Sequence, residues 1–295
     1  MEYRVLGKTG LKVSRLGFGG IPIQRIDAEG TKALMHRLLE AGVNYIDSAR
    51  GYTVSEEYIG YGLEGIRDKF ILATKGRGLT KQAMQKDLET SLHNFRTDYI
   101  DLYQFHNPSL EDLEVITAPG GALEALQDAK AAGTVRHIGL TAHSTQVFEK
   151  ALDMDWVETI MFPYNLVENQ GAELIAKCQE KNIGFICMKP LAGGAIDDAS
   201  LALRYIVQNR RHRGHPRHGK RAGALPESGR RRQFRPADRG RNGENPGHPG
   251  FPGHPVLPPL QLLRPLHRGH SHPPAVRAGG LSDPLRPGRL GQGPV

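Results

Sequence analysis

The sequence predicts an α/β chain built as a (β/α)8 TIM-type barrel, incomplete at seven βα units, followed by a disordered, Arg/Pro/Gly-rich C-terminal tail. Three observations lead there. Over residues 1–209, short β-branched and aromatic runs alternate with segments of helical period, the pattern of repeated βα units around a parallel sheet. The alternation continues for about 200 residues without a break, which favours a barrel of ~250 residues over an open doubly wound sheet. The first glycine cluster, Gly17-Phe18-Gly19-Gly20-Ile21-Pro22, puts Pro22 where a dinucleotide fingerprint wants its third glycine, so the open-sheet alternative lacks its signature.

Taken in order, the chain opens with a hairpin turning at Lys8-Thr9-Gly10. Strands are then predicted over Arg15–Gly19, Asn44–Asp47, Phe70–Lys75, Tyr99–His106, His137–Thr141, Thr159–Pro163 and Gly184–Met188, with helices filling each gap. Thr31–Ala41 sets Leu34, Leu38 and Ala41 on one face and stops at Gly42. Thr80–Phe95 does the same with Met84, Leu88 and Leu92. A third helix, Ala122–Ala132, closes on Gly133, and Ala199–Gln208 is the seventh. The eighth unit is missing.

Composition divides the chain at the same place. Residues 1–209 carry 22 Lys+Arg against 27 Asp+Glu, while 210–295 carry 17 against 4, so the overall charge of +8 belongs to the tail. Those last 86 residues hold 16 Arg, 15 Gly, 15 Pro and 8 His, with no Ile, Met, Thr, Tyr, Trp or Cys, and cannot bury a core. The expected domains are therefore a barrel over 1–209 and a low-complexity basic tail over 210–295. The two cysteines, Cys178 and Cys187, stand in separate apolar stretches, which excludes a disulfide framework or thiolate metal site and points to a reducing, cytoplasmic compartment. No apolar run approaches the ~20 residues of a membrane span, and Met1-Glu2-Tyr3-Arg4 lacks a signal-peptide core.

In a barrel of this kind, reactive groups sit at the C-terminal ends of the strands and in the loops after them. Four residues qualify: Asp47 ends the second strand, Tyr52 follows it, Lys75 ends the third and His106 ends the fourth. A phenol with an ordinary pKa near ~10 donates a proton near neutrality only if a neighbouring cation stabilises the phenolate. Lys75 supplies that cation, Asp47 holds it charged, and His106 hydrogen-bonds the oxygen being protonated. Such a set suits proton transfer to a carbonyl oxygen while a hydride arrives at its carbon. Each residue alone has a plainer reading, as loop anchor, packing tyrosine or structural histidine. Their placement on three consecutive strands is what singles them out.

The sequence resembles the aldo-keto reductases. The likeness starts in Tyr3-Arg4-Val5-Leu6-Gly7-Lys8-Thr9-Gly10 and Leu16-Gly17-Phe18-Gly19-Gly20, and continues in Tyr45-Ile46-Asp47-Ser48-Ala49, Gly51-Tyr52, Ser55-Glu56-Glu57 and Thr74-Lys75. Asp98-Tyr99-Ile100-Asp101-Leu102-Tyr103, His106, Arg136-His137-Ile138-Gly139, Pro163-Tyr164-Asn165-Leu166 and Met188-Lys189-Pro190-Leu191-Ala192-Gly193-Gly194 complete it. The resemblance implies an NADPH- or NADH-dependent reductase of a small-molecule aldehyde or ketone, with Tyr52 as general acid supported by Asp47, Lys75 and His106. It also implies cofactor contacts at Gly20, Thr141, Met161, Met188, Leu191 and Gly193. Many members hold the carboxamide with a Ser-Asn pair and a Gln and stack a Tyr on the nicotinamide. Here those positions read Thr141-Ala142, Met161 and Met188, although a thioether can still cover a ring face.

For the tail, three readings compete: a nucleic-acid arm, a solvated extension, and a translation out of frame. Sixteen arginines would attract phosphates, but only Phe234 and Phe251 interleave with them and no recognition module is present, so nucleic acid is disfavoured as a partner. Read in the shifted frame, Arg211 to Arg221 permits V-T-A-V-I-P-G-M-E-S, a strand ending in the I-P-G of the family's eighth strand. Leu257, Leu260, Leu263 and Leu266, each before a residue with a codon starting in C, permit cysteines spaced C-x2-C-x2-C-x2-C. A frame-corrected form would then resemble the subgroup with a C-terminal ferredoxin-like segment ligating a [4Fe-4S] cluster, while the chain as written has no such thiolate ligands there. Loss of the eighth strand predicts impaired or absent activity. The alternatives from another class are a non-catalytic nicotinamide-nucleotide-binding barrel and a nucleic-acid binder acting through the tail.

Overall fold

The computed structural model describes residues 1–209; the expectations for residues 210–295 lie outside the described residues. The chain begins with an antiparallel pair, β1 (Tyr3–Val5) and β2 (Lys12–Ser14), in register Tyr3 to Ser14. Seven strands follow: β3 (Phe18–Gly19), β4 (Tyr45–Asp47), β5 (Ile71–Gly76), β6 (Ile100–His106), β7 (Val135–Thr141), β8 (Thr159–Pro163) and β9 (Gly184–Met188). They form one sheet, every pair parallel and adjacent in chain order. The crossovers carry α1 (Ala28–Glu40), α2 (Ser55–Gly62), α3 (Lys81–Phe95), α4 (Leu110–Thr117), α5 (Ala122–Ala131), α6 (Thr145–Ala151) and α7 (Ala172–Glu180), and α8 (Ala199–Asn209) follows β9. This is the curled sheet of a (β/α)8 barrel with seven strands among the described residues.

The sheet is buried on both faces, as a parallel sheet under helices must be. Ile46, Leu72, Tyr103, Phe105, Ile138, Leu140, Ile160 and Phe162 join the helices in one large apolar cluster. Their alternate neighbours Tyr45, Ala73 and Leu102 form a second cluster with Leu6 and Val13 from the hairpin. The hairpin thus plugs the N-terminal end of the lumen. Gly7 makes that possible: its φ is +53°, and a Cβ there would lie 2.2 Å from the Gly184 nitrogen.

Most elements differ from the sequence expectation by one or two residues at an end, and three larger differences have a clear local cause. Arg15 through Gly17 do not extend β3, because the Arg15 N–H donates to the Glu2 carbonyl at 2.8 Å and so continues the hairpin. α1 starts at Ala28 rather than Thr31, because Asp27 caps it by accepting from Gly30 N–H at 2.7 Å. α4, not separated in the sequence, is set by a capping box between Ser109 and Asp112. Among the described residues β3 and β9 each pair with a single strand, and the Arg15 guanidinium ties the segment before β3 to the Val207 carbonyl in α8 at 3.1 Å. No helix among the described residues is long and apolar enough to cross a membrane.

At the N-terminal end of the sheet Glu158, 8% exposed, accepts from Lys130 Nζ at 2.6 Å, pairs with His137 Nδ1 at 2.7 Å and accepts from Ile138 N–H at 2.9 Å. Burial pushes this carboxyl up, but His137, Lys130 and the Ile138 amide outweigh it and hold the pKa at about 2, below the ordinary 4.5. A depressed carboxyl contributes stability that is complete above its unfolded pKa and lost as pH falls through the folded one. The urea midpoint should therefore fall between pH 4.5 and about 2. Glu158→Gln should flatten that fall and cost about 1–3 kcal/mol at neutral pH, and an unchanged pH profile would contradict the assignment.

Candidate active site

The C-terminal strand ends gather the polar groups. On β4, β5 and β6 the residues that alternate with the helix-side cluster point into the lumen, which turns Asp47, Lys75, Gln104 and His106 inward. Lys75 is 2% exposed and Asp47 8%. The Lys75 ammonium donates to Asp47 Oδ2 at 2.5 Å and to the Ser48 carbonyl, and the Gln104 amide donates to Asp47 Oδ1 at 3.0 Å. Lys75 Nζ also lies 5.0 Å from the centre of the Tyr52 ring. The Tyr52 ring meets His106 edge-on, with centroids 5.9 Å apart and planes at 87°. The structure therefore brings Asp47, Tyr52, Lys75 and His106 into one cluster.

Electrostatics follow from this packing. Burial pushes the Asp47 carboxyl above its ordinary value, and Lys75 and Gln104 work against that rise. Burial, then the positive fields of Lys75, Arg77 and His143, hold His106 down at about 4, so its ring is neutral near pH 7. Its Nδ1 is buried without a hydrogen-bond partner among the described residues.

The loop carrying Tyr52 is fixed at several points. Arg50 N–H donates to the Lys75 carbonyl at 2.9 Å, and Tyr52 N–H donates to the Ala49 carbonyl at 3.0 Å. Below the loop, Glu56 is 1% exposed at the start of α2. It is ion-paired to Arg50 and accepts from Thr74 Oγ1 at 2.7 Å, Ser91 Oγ at 2.9 Å and Asn94 Nδ2 at 3.3 Å. One buried carboxylate thus joins the Tyr52 loop, the strand carrying Lys75, and α3. On the other side the Ser55 hydroxyl donates to the Gly20 carbonyl at 2.9 Å and lies 2.8 Å from Ser48 Oγ.

The residues expected to contact a cofactor fall on the same end of the sheet or in the loop beyond it. Gly20 follows β3; a Cβ there would come within 2.6 Å of Ser55 Oγ and 3.1 Å of the Asp47 carbonyl, so any larger residue would have to displace the Ser55 hydroxyl. Thr141 ends β7 directly opposite Met161 in β8, and Met188 ends β9. Ile160 and Phe162 belong to the helix-side cluster, so Met161 points inward between them. Leu191 and Gly193 lie in the turn after β9, with Gly193 exposed at φ +70°. Thr141 Oγ1 accepts from Asn107 N–H at 2.9 Å, which leaves its own hydrogen free to donate. A hydroxyl donor beside the Met161 thioether, with Met188 closing the next strand, fits a planar amide-bearing ring. Gln104 and Glu56 had no assigned role in the sequence reading; the signal for Gln104 was its place two residues before His106 on the same strand face.

The model of the Aldo/keto reductase family matches residues 15–235. The chain belongs to the aldo/keto reductase family. It is 29% identical over 218 residues to L-galactose dehydrogenase of Arabidopsis thaliana, covering 67% of this chain and 68% of that protein. It is 30% identical over 218 residues to aldo-keto reductase YhdN of Bacillus subtilis, covering 65% and 64% respectively. The structure is similar to the holo form of aldo-keto reductase AKR11C1 from Bacillus halodurans, with a TM-score of 0.60, 30% identity, and coverage of 66% of this chain and 68% of that one. The protein is an oxidoreductase of the class that reduces carbonyl groups with NAD(P)H.

Removing the cation from this cluster leaves Asp47 buried and unpaired. Lys75→Met should therefore destabilise the fold by about 3–5 kcal/mol in a denaturant titration and push the Asp47 carboxyl further up. A loss below about 1 kcal/mol would show that the pair contributes little to stability.

Proposed function

We propose that this reductase converts an aldehyde or ketone to an alcohol with Tyr52 as the proton donor. The observation that carries the reading is the Lys75 ammonium, held by Asp47 and 5.0 Å from the Tyr52 ring. NAD(P)H supplies the hydride when bound. The Tyr52 hydroxyl donates to the substrate oxygen as that oxygen gains charge, and the phenolate left behind is stabilised by Lys75. Asp47 keeps Lys75 in place. His106, neutral at working pH, offers an N–H to the same oxygen without competing as an acid. Gly20, Thr141, Met161, Met188, Leu191 and Gly193 would hold the cofactor, with Thr141 donating to its carboxamide and the two methionines covering the ring.

A second part of the proposal concerns the tail. The compositional break at residue 210 and the unclosed β3 and β9 edges among the described residues support a barrel domain over 1–209 followed by out-of-frame sequence. The family match runs on to residue 235, so the boundary at 209 rests on composition. A frame-corrected chain would carry the eighth strand and the cysteines for a [4Fe-4S] cluster.

Two measurements test these statements. In a frame-corrected chain, Tyr52→Phe should lower the turnover of a carbonyl panel, followed by nicotinamide absorbance, by about 10²–10⁴-fold with cofactor affinity kept, and a variant within tenfold of its parent would refute the role. The chain as written should reduce carbonyls feebly while a frame-corrected one turns over fully. Equal rates, or a clean open frame across the codons for Asn209 and Arg210 in independent isolates, would remove the frameshift account.

A further inference from the structure

Beyond the four clustered residues, β6 carries a side chain whose only evident task is to hold one of them. Gln104 is fully buried, two residues before His106 and directly opposite Lys75 in the β5–β6 register. Its Nε2 donates to Asp47 Oδ1 at 3.0 Å, whereas its Oε1 is buried with no hydrogen-bond partner among the described residues. A buried amide oxygen without a partner is a net cost that an apolar side chain of the same size would avoid. What glutamine adds at this position is the donor.

The carboxylate of Asp47 is thereby divided between two bonds. Oδ2 faces the Lys75 ammonium and Oδ1 faces the Gln104 amide. The amide's orientation is forced, since its oxygen turned toward a carboxylate would oppose acceptor to acceptor. The groups facing Asp47 are few. From β5 comes Lys75, from its own strand Tyr45, from β6 Gln104, and its β3 neighbour is Gly19, which has no side chain. Among side chains this buried, a neutral donor on the second oxygen determines both the plane of the carboxylate and how readily it takes a proton.

We propose that Gln104 is a positioning residue of this reductase, orienting Asp47 and keeping it ionised so that Lys75 retains its counterion beside Tyr52. The proposal rests on the reading of Tyr52 as proton donor for its consequence, but not for its geometry. Removing the amide should make Asp47 easier to protonate, and below that midpoint Lys75 would stand without its partner charge. The acid limb of turnover would then move to higher pH while cofactor affinity stays the same. A residue that merely filled space would lower stability without moving that limb.

The test uses the full 295-residue chain labelled with ¹³C at aspartate carboxyls and ¹⁵N at glutamine amides, followed by NMR against pH. In Gln104→Met the Asp47 midpoint should rise by about one to two pH units. In the unsubstituted chain the Gln104 amide resonance should shift with the same midpoint as the Asp47 carboxyl. An Asp47 midpoint that is unmoved in the variant, or an amide resonance indifferent to the Asp47 titration, would overturn the proposal. Should Gln104→Met fail to fold, the unsubstituted chain decides alone. Neither measurement requires turnover, so active Tyr52→Phe protein would refute the reaction as read and leave the Gln104 result to stand or fall separately.

Discussion

A lysine ammonium held out of water inside a barrel is the constraint on which the rest of this structure depends. Transferring such a group into a dry interior costs several kcal/mol unless its charge and its protons are all met. Lys75 is met by the Asp47 carboxylate, by the Ser48 carbonyl and by the π face of Tyr52. Each partner comes from the end of β4 or the loop after it, so satisfying one ammonium also determines where that loop runs. The same cation lowers the proton affinity of His106 and works against the burial that raises Asp47. Burial does most to keep His106 neutral and to raise Asp47, and the one charge that sets their geometry adds to the first effect and opposes the second.

The fold supplies the rigidity that such a pairing needs. Parallel strands in chain order bring Asp47, Lys75 and His106 to consecutive strand ends, and the alternation of a strand turns all three inward. Tyr52 sits on a loop and would wander without further support. That support comes from beneath, where Glu56 joins Arg50, Thr74, Ser91 and Asn94, and from the side, where Ser55 joins Gly20 and Ser48. The tight fit at Gly20 shows how closely the first βα loop is packed on the second. At the opposite end of the lumen the hairpin residues Leu6 and Val13 close off the interior.

Much of this was legible in the amino-acid sequence because local signals and tertiary demands agree. The ends of β8 and β9 are legible in full, since runs such as Thr159–Pro163 combine β-branched residues with clear flanking turns. The start of α3 is legible to within one residue, with Thr80 its N-cap rather than its first member, while the cap at Asp27 is hidden behind Gly30, a poor helix former that pushes the apparent start of α1 forward. Gln104 escaped notice because β6 is buried on both faces, so its sequence shows no alternation that would mark an inward amide as special. Glu56 and Glu57 look alike in sequence, yet the first is buried among four partners and the second is exposed, a difference only the packing of α2 on α3 decides. Asp47, Lys75 and His106 are visible because strand ends are predictable even where strand interiors are ambiguous, and Tyr52 because it lies in the loop directly after one such end.

In the proposed reaction Lys75 acts through Tyr52, so the most direct test is a double-mutant cycle on turnover, with the frame-corrected chain, its Lys75→Met and Tyr52→Phe variants and the double variant compared at saturating cofactor. Groups that work as one unit lose nearly all their effect when either is removed. The expected result is that the double variant is no slower than the slower single variant. Losses that multiply, each substitution reducing the rate by its full factor in the presence of the other, would mean that the ammonium and the phenol act independently and would contradict the account.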